Sequence, residues 1–220
     1  EIMDVLLNFT NITVTLSVLN DNTLMAIDEC GTSNDVYMAG NSGIMVKVPA
    51  NTLGPVAWQS NTGYTFLYAG CRNVGGWTFP VQGYNGMTVS TNFLYTYDGD
   101  LLKKWNKNTG VLMNTLSVTG NPFQDGGLDA DVCDNVYVGA NNAIQVYDQN
   151  FNLLTTMALP DTVYDIKLGR NNLIYACGKG FTSELNLPPS LSTVLTLSQT
   201  PATCSACNGT ATVAVTNPCL

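Results

Sequence analysis

The 220-residue chain contains no histidine. That absence excludes a Ser-His-Asp triad, a Cys-His dyad and every His-ligated metal site. Positive charge is scarce: 8 Lys+Arg stand against 16 Asp+Glu, a net −8, with a sequence pI near 4.1. Nucleic acids and anionic membranes are bound through clustered cations, so neither is an expected partner. Charged residues of both signs make up only 11%, far below the usual quarter. No apolar run approaches the ~18 residues of a transmembrane helix, and direct membrane insertion is not expected. Helical spacing never persists beyond two turns. What the chain does have is 25 Asn and 26 Thr. Thr favours strands and Asn favours turns, so the composition reads as β-rich and extracellular.

Seven cysteines lie at Cys30, Cys71, Cys133, Cys177, Cys204, Cys207 and Cys219. In an acidic, Asn/Thr-rich chain they read as oxidised pairs, with one left over because the number is odd. Cys204-Ser-Ala-Cys207 has the CxxC spacing of a zinc or redox site. A zinc site needs a second ligand pair, and only Cys219 and a carboxylate remain. A thioredoxin-type motif opens a helix, whereas the residues that follow here read as strand. Neither metal nor cofactor is expected. The chain begins at Glu1 with no charged segment before an apolar one, which reads as a piece of a longer exported protein.

Self-similarity is the strongest structural signal. The segment from Asp28 to Lys47 resembles that from Asp129 to Tyr147, with Val36-Tyr37 and Val136-Tyr137 in register through to Ile44 and Ile144. A weaker copy runs from Asn92 to Trp105 and a fourth from Asn172 to Phe181. Their core tyrosines, Tyr37, Tyr95, Tyr137 and Tyr175, are 58, 42 and 38 residues apart. The wide first gap holds an extra segment, 64–77, with its own strand-like TFLYAG. Each unit reads as three or four short antiparallel strands joined by Asn/Gly turns, with Thr162–Leu168 as a fourth segment before the next copy. That is the period of a β-propeller blade. The fold class is therefore all-β: a propeller-like array of about four ~40-residue units, part of a larger propeller. Leu187-Pro-Pro breaks the pattern, because proline cannot donate to a strand ladder. It divides residues 1–187 from 188–220, where two further strands flank the Cys204–Cys207 turn.

Within that last part, Ala202-Thr-Cys-Ser-Ala-Cys-Asn-Gly-Thr-Ala-Thr-Val-Ala-Val resembles the opening of the SprB-type repeat of giant cell-surface adhesins in gliding Bacteroidota. Those repeats continue into a glycine pair and a PPYxYxW strand, where this chain has Thr216-Asn-Pro-Cys-Leu. Upstream, the CDNVYVG phrase at 133–139 and LLKKWNKNTG at 101–110 resemble the propeller-like repeats that precede such modules. The resemblance implies that residues 188–220 begin a β-sandwich repeat. It also implies a secreted surface protein, exported by the type IX route and active in adhesion or gliding.

Carboxylates are the remaining general acid/base candidates. Asp28 and Asp129 read as equivalent repeat positions, which favours turn-fixing over catalysis. Asp98-Gly-Asp100 and Asp148-x-Asn150-x-Asn152 resemble fragments of calcium loops, but neither has the glutamate at the twelfth position. No enzyme activity is expected. Trp58, Trp77 and Trp105 suit either a sugar-stacking platform or packing between blades. Sequons at Asn8, Asn11 and Asn208 matter only in a eukaryotic secretory route. Asp161-Thr162-Val163 matches the bacterial O-glycosylation tripeptide, with Thr162 as acceptor. The repeat also suggests a disulfide staple used twice, Cys30–Cys71 and Cys133–Cys177, spanning 41 and 44 residues. A loop of that length is worth about 4 kcal/mol in the chain-entropy model. Cys204 or Cys207 would then pair with Cys219. The functional expectation is a non-catalytic adhesin or filament segment, its partners being neighbouring domains of a longer chain, surface glycans or further copies of itself. A glycan-binding or polysaccharide-active propeller is the alternative.

Overall fold

A computed structural model describes residues 24–28, 34–39, 44–49, 56–62, 86–118, 127–170, 172–189, 191, 194–200 and 210–216. Every regular element among them is a strand. The first sheet orders β1 (Leu24–Ile27), β2 (Val36–Ala39), β3 (Ile44–Val48) and β4 (Trp58–Asn61) as 1-2-3-4. The second follows with β5 (Gly86–Val89), β6 (Phe93–Tyr97), β7 (Leu101–Asn106) and β8 (Leu112–Ser117). The third comprises β9 (Leu128–Ala130), β10 (Val136–Ala140), β11 (Ala143–Tyr147) and β12 (Leu153–Ala158). A fourth sheet has three strands, β13 (Val163–Leu168), β14 (Leu173–Gly178) and β15 (Phe181–Asn186). A separate hairpin pairs β16 (Val194–Thr200) with β17 (Thr210–Thr216).

All pairings are antiparallel meanders, and the first strands β1, β5, β9 and β13 touch one another in succession. Successive sheets stacked through their first strands make the blades of a β-propeller. The expected repeat frame is present, shifted by one strand. Val163–Leu168 opens blade 4 instead of closing blade 3.

Stacking explains why the second strands read as continuous apolar runs instead of alternating. Both faces of β10 are covered, and all five of its residues are buried. Tyr37, Ala39 and Met45 pack on Leu94 and Trp105 of blade 2. Tyr95, Tyr97 and Leu102 pack on Val136, Val138 and Tyr147 of blade 3. Tyr137, Ile144 and Val146 pack on Ile166, Ile174 and Ala176 of blade 4. The outermost strands β8 and β12 lie at the perimeter and are largely exposed.

The turns use the residues that their backbone demands. Asn34, Asp134 and Asn172 each sit three positions before the core tyrosine and adopt φ of 48°, 65° and 61°. Asn and Asp tolerate this left-handed region because their short polar side chains bond locally. Asp98 accepts the N–H groups of Asp100 and Leu101, and Asp148 those of Asn150 and Asn152. Both fragments that resembled calcium loops are thus Asx-type turns.

The alignment of Asp28 with Asp129 is corrected by the ladder. Asp28 follows β1 and bonds Asp35 O, just as Asp131 follows β9 and bonds Asn135 O. Asp28 therefore corresponds to Asp131. Asp129 lies opposite Tyr137, where Ala26 lies opposite Tyr37.

Candidate functional site: an open face on the fourth blade

Half of the chain's eight basic residues are buried lysines, and their contacts decide which surfaces are left for function. The β7 sequence Leu-Leu-Lys-Lys-Trp places Lys103 and Lys104 on opposite faces of one strand. Lys103 reaches back to the Thr62 carbonyl of blade 1, and Lys104 forward to the Gln149 carbonyl of blade 3. The Lys104 ammonium also lies 4.6 Å from the Phe93 ring centre and 5.6 Å from that of Phe151. Lys107 Nζ pairs with Asp28 Oδ2 at 2.6 Å and donates to Ser90 O at 3.1 Å. Its backbone carbonyl accepts from Tyr37 Oη and Trp58 Nε1. Lys47 pairs with Asp35 at 2.7 Å. A chain this poor in cations has little positive charge left on its surface.

The buried aspartates are equally committed. Asp131 accepts from the N–H groups of Cys133 and Asn135, the Asn135 amide and Tyr137 Oη. Burial raises its pKa, and those four bonds oppose the rise. Asp134 accepts from Ser90 Oγ and from the backbone and side chain of Asn92, joining blades 2 and 3. Asp129 touches three blades: Thr88 on β5 donates to it, as do the Leu168 N–H and the Lys167 ammonium on β13. Asp131 holds a turn, whereas Asp28 and Asp129, expected to fix turns, instead hold seams between blades. Among the described residues no group of three or more metal-ligating side chains comes together.

The remaining expected sites fall as follows. Trp105 is buried, its Nε1 bonded to Thr96 Oγ1, so it packs between blades and offers no stacking shelf. Trp58 is half-buried beside Tyr37, 6.0 Å between ring centres, and closes the same seam. Trp77 lies outside the described residues. Thr162 is buried at 3% exposure, its hydroxyl shared between Asn141 and Asp161. In the folded chain it is a turn residue, not an open acceptor. Cys133 is disulfide-bonded. Cys177 is exposed on β14 and takes no part in that bridge, so the Cys133–Cys177 staple is not formed. The two sit on different faces of the repeat: Cys133 lies in a turn, whereas Cys177 projects from the outer face of blade 4. Cys30, Cys71, Cys204, Cys207 and Cys219 lie outside the described residues.

One surface breaks the repeat. On blades 1 to 3 the face carrying the core tyrosine is covered by the next blade, and Tyr37, Tyr95 and Tyr137 are all 0% exposed. Tyr175 holds the same place on blade 4 and is 44% exposed. The register sets Lys167 opposite it on β13 and Glu184 opposite it on β15. A second row, Asp165, Cys177 and Thr182, lies alongside. These six residues line a shallow concavity of about 420 Å³. Desolvation against the sheet and the Glu184 carboxylate raise the pKa of the Tyr175 hydroxyl. Tyr175 thus stands hydrogen-bonded to Glu184 on one side, with Lys167, whose ammonium pairs with Asp129, across the ladder on the other. Such a surface suits recognition by stacking and polar contacts. The sequence carried no signal for this exposure, because Tyr175 belongs to the same motif as its buried counterparts.

No family model matches this chain, and no curated protein is similar to it. Among solved structures it is similar to BBS1N in a complex with ARL6DN, with a TM-score of 0.51 and 14% identity over 77% of this chain. It is also similar to BamB from Moraxella catarrhalis, with a TM-score of 0.48 and 15% identity over 70% of the chain. The chain spans 48% and 45% of the lengths of those two. At such identities the similarity concerns the fold alone.

Proposed function

We propose that this chain is a non-catalytic binding segment of a secreted cell-surface adhesin of the SprB-type family, and that the open face of blade 4 is its contact surface. The observation that carries the reading is the exposure of Tyr175, with Lys167 and Glu184 beside it, in a molecule whose other described core tyrosines and buried carboxylates hold the blades together. Three further facts support it. The CNGTATVAV phrase resembles the adhesin repeats. The Cys133 disulfide suits an oxidising compartment. BBS1N, to which this chain is similar in fold, was crystallised in complex with ARL6DN, which accords with a protein-binding role.

Surface exposure is tested by shaving intact cells with a protease and quantifying peptides from residues 101–118 and 153–168. Loss of those peptides before lysis is the expected result. Their survival until lysis would remove the extracellular reading.

A second reading is favoured by the same ring: Tyr175, rimmed by Lys167, Thr182 and Glu184, has the composition of a sugar-stacking subsite. A glycan array on wild type and Tyr175→Ala separates the two. Submillimolar binding that disappears in the variant identifies a lectin. A blank array with retained adhesion identifies a protein-binding or surface-binding face.

A further inference from the structure

Among the described residues blade 4 has three strands where blades 1, 2 and 3 have four. In each complete blade the fourth strand pairs with the outer side of the third: β4 on β3, β8 on β7, β12 on β11. Among the described residues nothing pairs with the outer side of β15, which leaves a row of backbone donors and acceptors at the perimeter.

The chain does carry a strand of the missing kind. Five residues separate β7 from β8 and β11 from β12, nine separate β3 from β4, and seven separate β15 from β16. In composition β16 (VLTLSQT) matches β8 (LMNTLS) and β12 (LLTTMA): Leu, Met, Val and small polar residues, with no charge. Exposure matches too. Residues 196–200 are exposed, as is most of β8 and β12. Yet β16 pairs with β17 and not with β15. The segment between them is pinned elsewhere: Leu187 and Leu191 are buried in the core between blades 3 and 4, and Leu191 N bonds Pro188 O. The resulting hairpin stands as a two-stranded sheet, which is marginal in water by itself. It exposes Leu197 at 70% and Val213 at 63%, directly opposite each other in the ladder.

Among the described residues an open edge on β15 and a strand of matching type, β16, paired on one side only, thus occur in one molecule, presented separately. We propose that β16 of a second copy adds to the outer edge of β15 as the fourth strand of its blade 4, with β17 continuing the sheet. Neither β16 nor β17 carries a charge, so no like-charge pair arises against Glu184. Donor and acceptor are different surfaces, so the contact is heterologous and copies join head to tail in open chains or rings. The contact is made through the backbone edge of β15, the strand that also carries Glu184 of the Tyr175 face.

Sedimentation velocity on the full chain across micromolar concentrations is the first test, and a ladder of species growing with concentration is expected. Hydrogen exchange supplies the location. Alternate amides of Phe181–Asn186 should slow by about ten-fold or more as assembly proceeds, the signature of new ladder bonds. Two proline variants test polarity, each first shown folded by its far-ultraviolet spectrum: Ser198→Pro removes the donor and Glu184→Pro the acceptor. Neither alone should form long species, while their mixture should yield discrete dimers, since each retains the half that the other lacks. Monomers at every concentration would overturn the proposal. So would oligomers without slowing at β15, or β15 amides already protected at the lowest concentration, which would mean that the hairpin folds back on its own blade.

Discussion

Replacing Lys107 with alanine is the sharpest test of how the blades are held. Lys107 leaves the turn after β7 and crosses to blade 1, where its ammonium lies 2.6 Å from Asp28 Oδ2. The side chains are 10% and 3% exposed, so water screens the pair little. At an effective dielectric of about 20 the attraction at that distance is about 6 kcal/mol, much of it offset by desolvating both ions. Removing the lysine abolishes the attraction and leaves the desolvation in place. Among the described residues Asp28 Oδ1 has no hydrogen-bond partner to take up the charge. The expected loss is therefore about 3–5 kcal/mol, the cost of an uncompensated buried charge. The backbone carbonyl that receives Tyr37 and Trp58 is retained, so the loss reports the ion pair. Urea unfolding followed by tryptophan fluorescence suits the question, because Trp58 sits on that seam. The double variant Asp28→Asn with Lys107→Met should recover about 2 kcal/mol or more relative to the sum of the single changes. A loss under about 1 kcal/mol for Lys107→Ala, or strict additivity in the cycle, would refute the reasoning.

Three further predictions concern the repeat itself. Tyr137→Ala should cost about 3–5 kcal/mol by opening a cavity between blades 3 and 4, whereas Tyr175→Ala should cost about 1 kcal/mol or less; equal losses in urea titrations would mean that the blade-4 face is covered in solution. Gly127→Ala should cost about 1–3 kcal/mol, because a Cβ there would lie 2.3 Å from the Ile166 nitrogen and 2.6 Å from the Asp165 Cα, both backbone atoms; an unchanged urea midpoint would contradict the close approach of blades 3 and 4. At Asp148 burial acts to raise the pKa, but the side chain and N–H of Asn152 and the N–H of Asn150 prevail and bring it below 3.8. A depressed folded-state pKa contributes stability that is present above the unfolded value and lost as pH falls through the folded one. An NMR titration should therefore place the Asp148 carboxyl below 3.8, and Asp148→Ala should narrow the stability difference between pH 5 and pH 2; a midpoint at or above 3.8 would contradict the turn geometry.

How much was legible in the sequence follows from which forces are local. The Val-Tyr motif at 36–37 and 136–137, with an Asn or Asp in the left-handed region three residues before the tyrosine, encodes a turn and a strand that need no distant partner to be recognised. Composition and period therefore gave the all-β propeller class. Phase was harder to read: Val163–Leu168 pairs with β14, which follows it, and nothing in its own residues says which neighbour it takes. The match of Asp28 to Asp129 failed because both segments hold several aspartates, and only the ladder shows which one follows the first strand. The lysine staples escaped notice because a Lys-Lys pair reads as solvent-facing charge until the strand is known to lie between two blades. Tyr175 is the extreme case. Its local sequence is that of a buried residue, and its exposure depends on what stands next to blade 4.

The central claim, that this face makes the adhesive contact, is tested most directly by the retention of protein-coated beads on glass under flow. Wild type is compared with a triple variant, Lys167→Ala, Tyr175→Ala and Glu184→Ala, after thermal melts show that both are folded. Retention of the variant should fall by about ten-fold or more, as removal of a few central contacts does at other binding surfaces. Equal retention of the two proteins would contradict the claim.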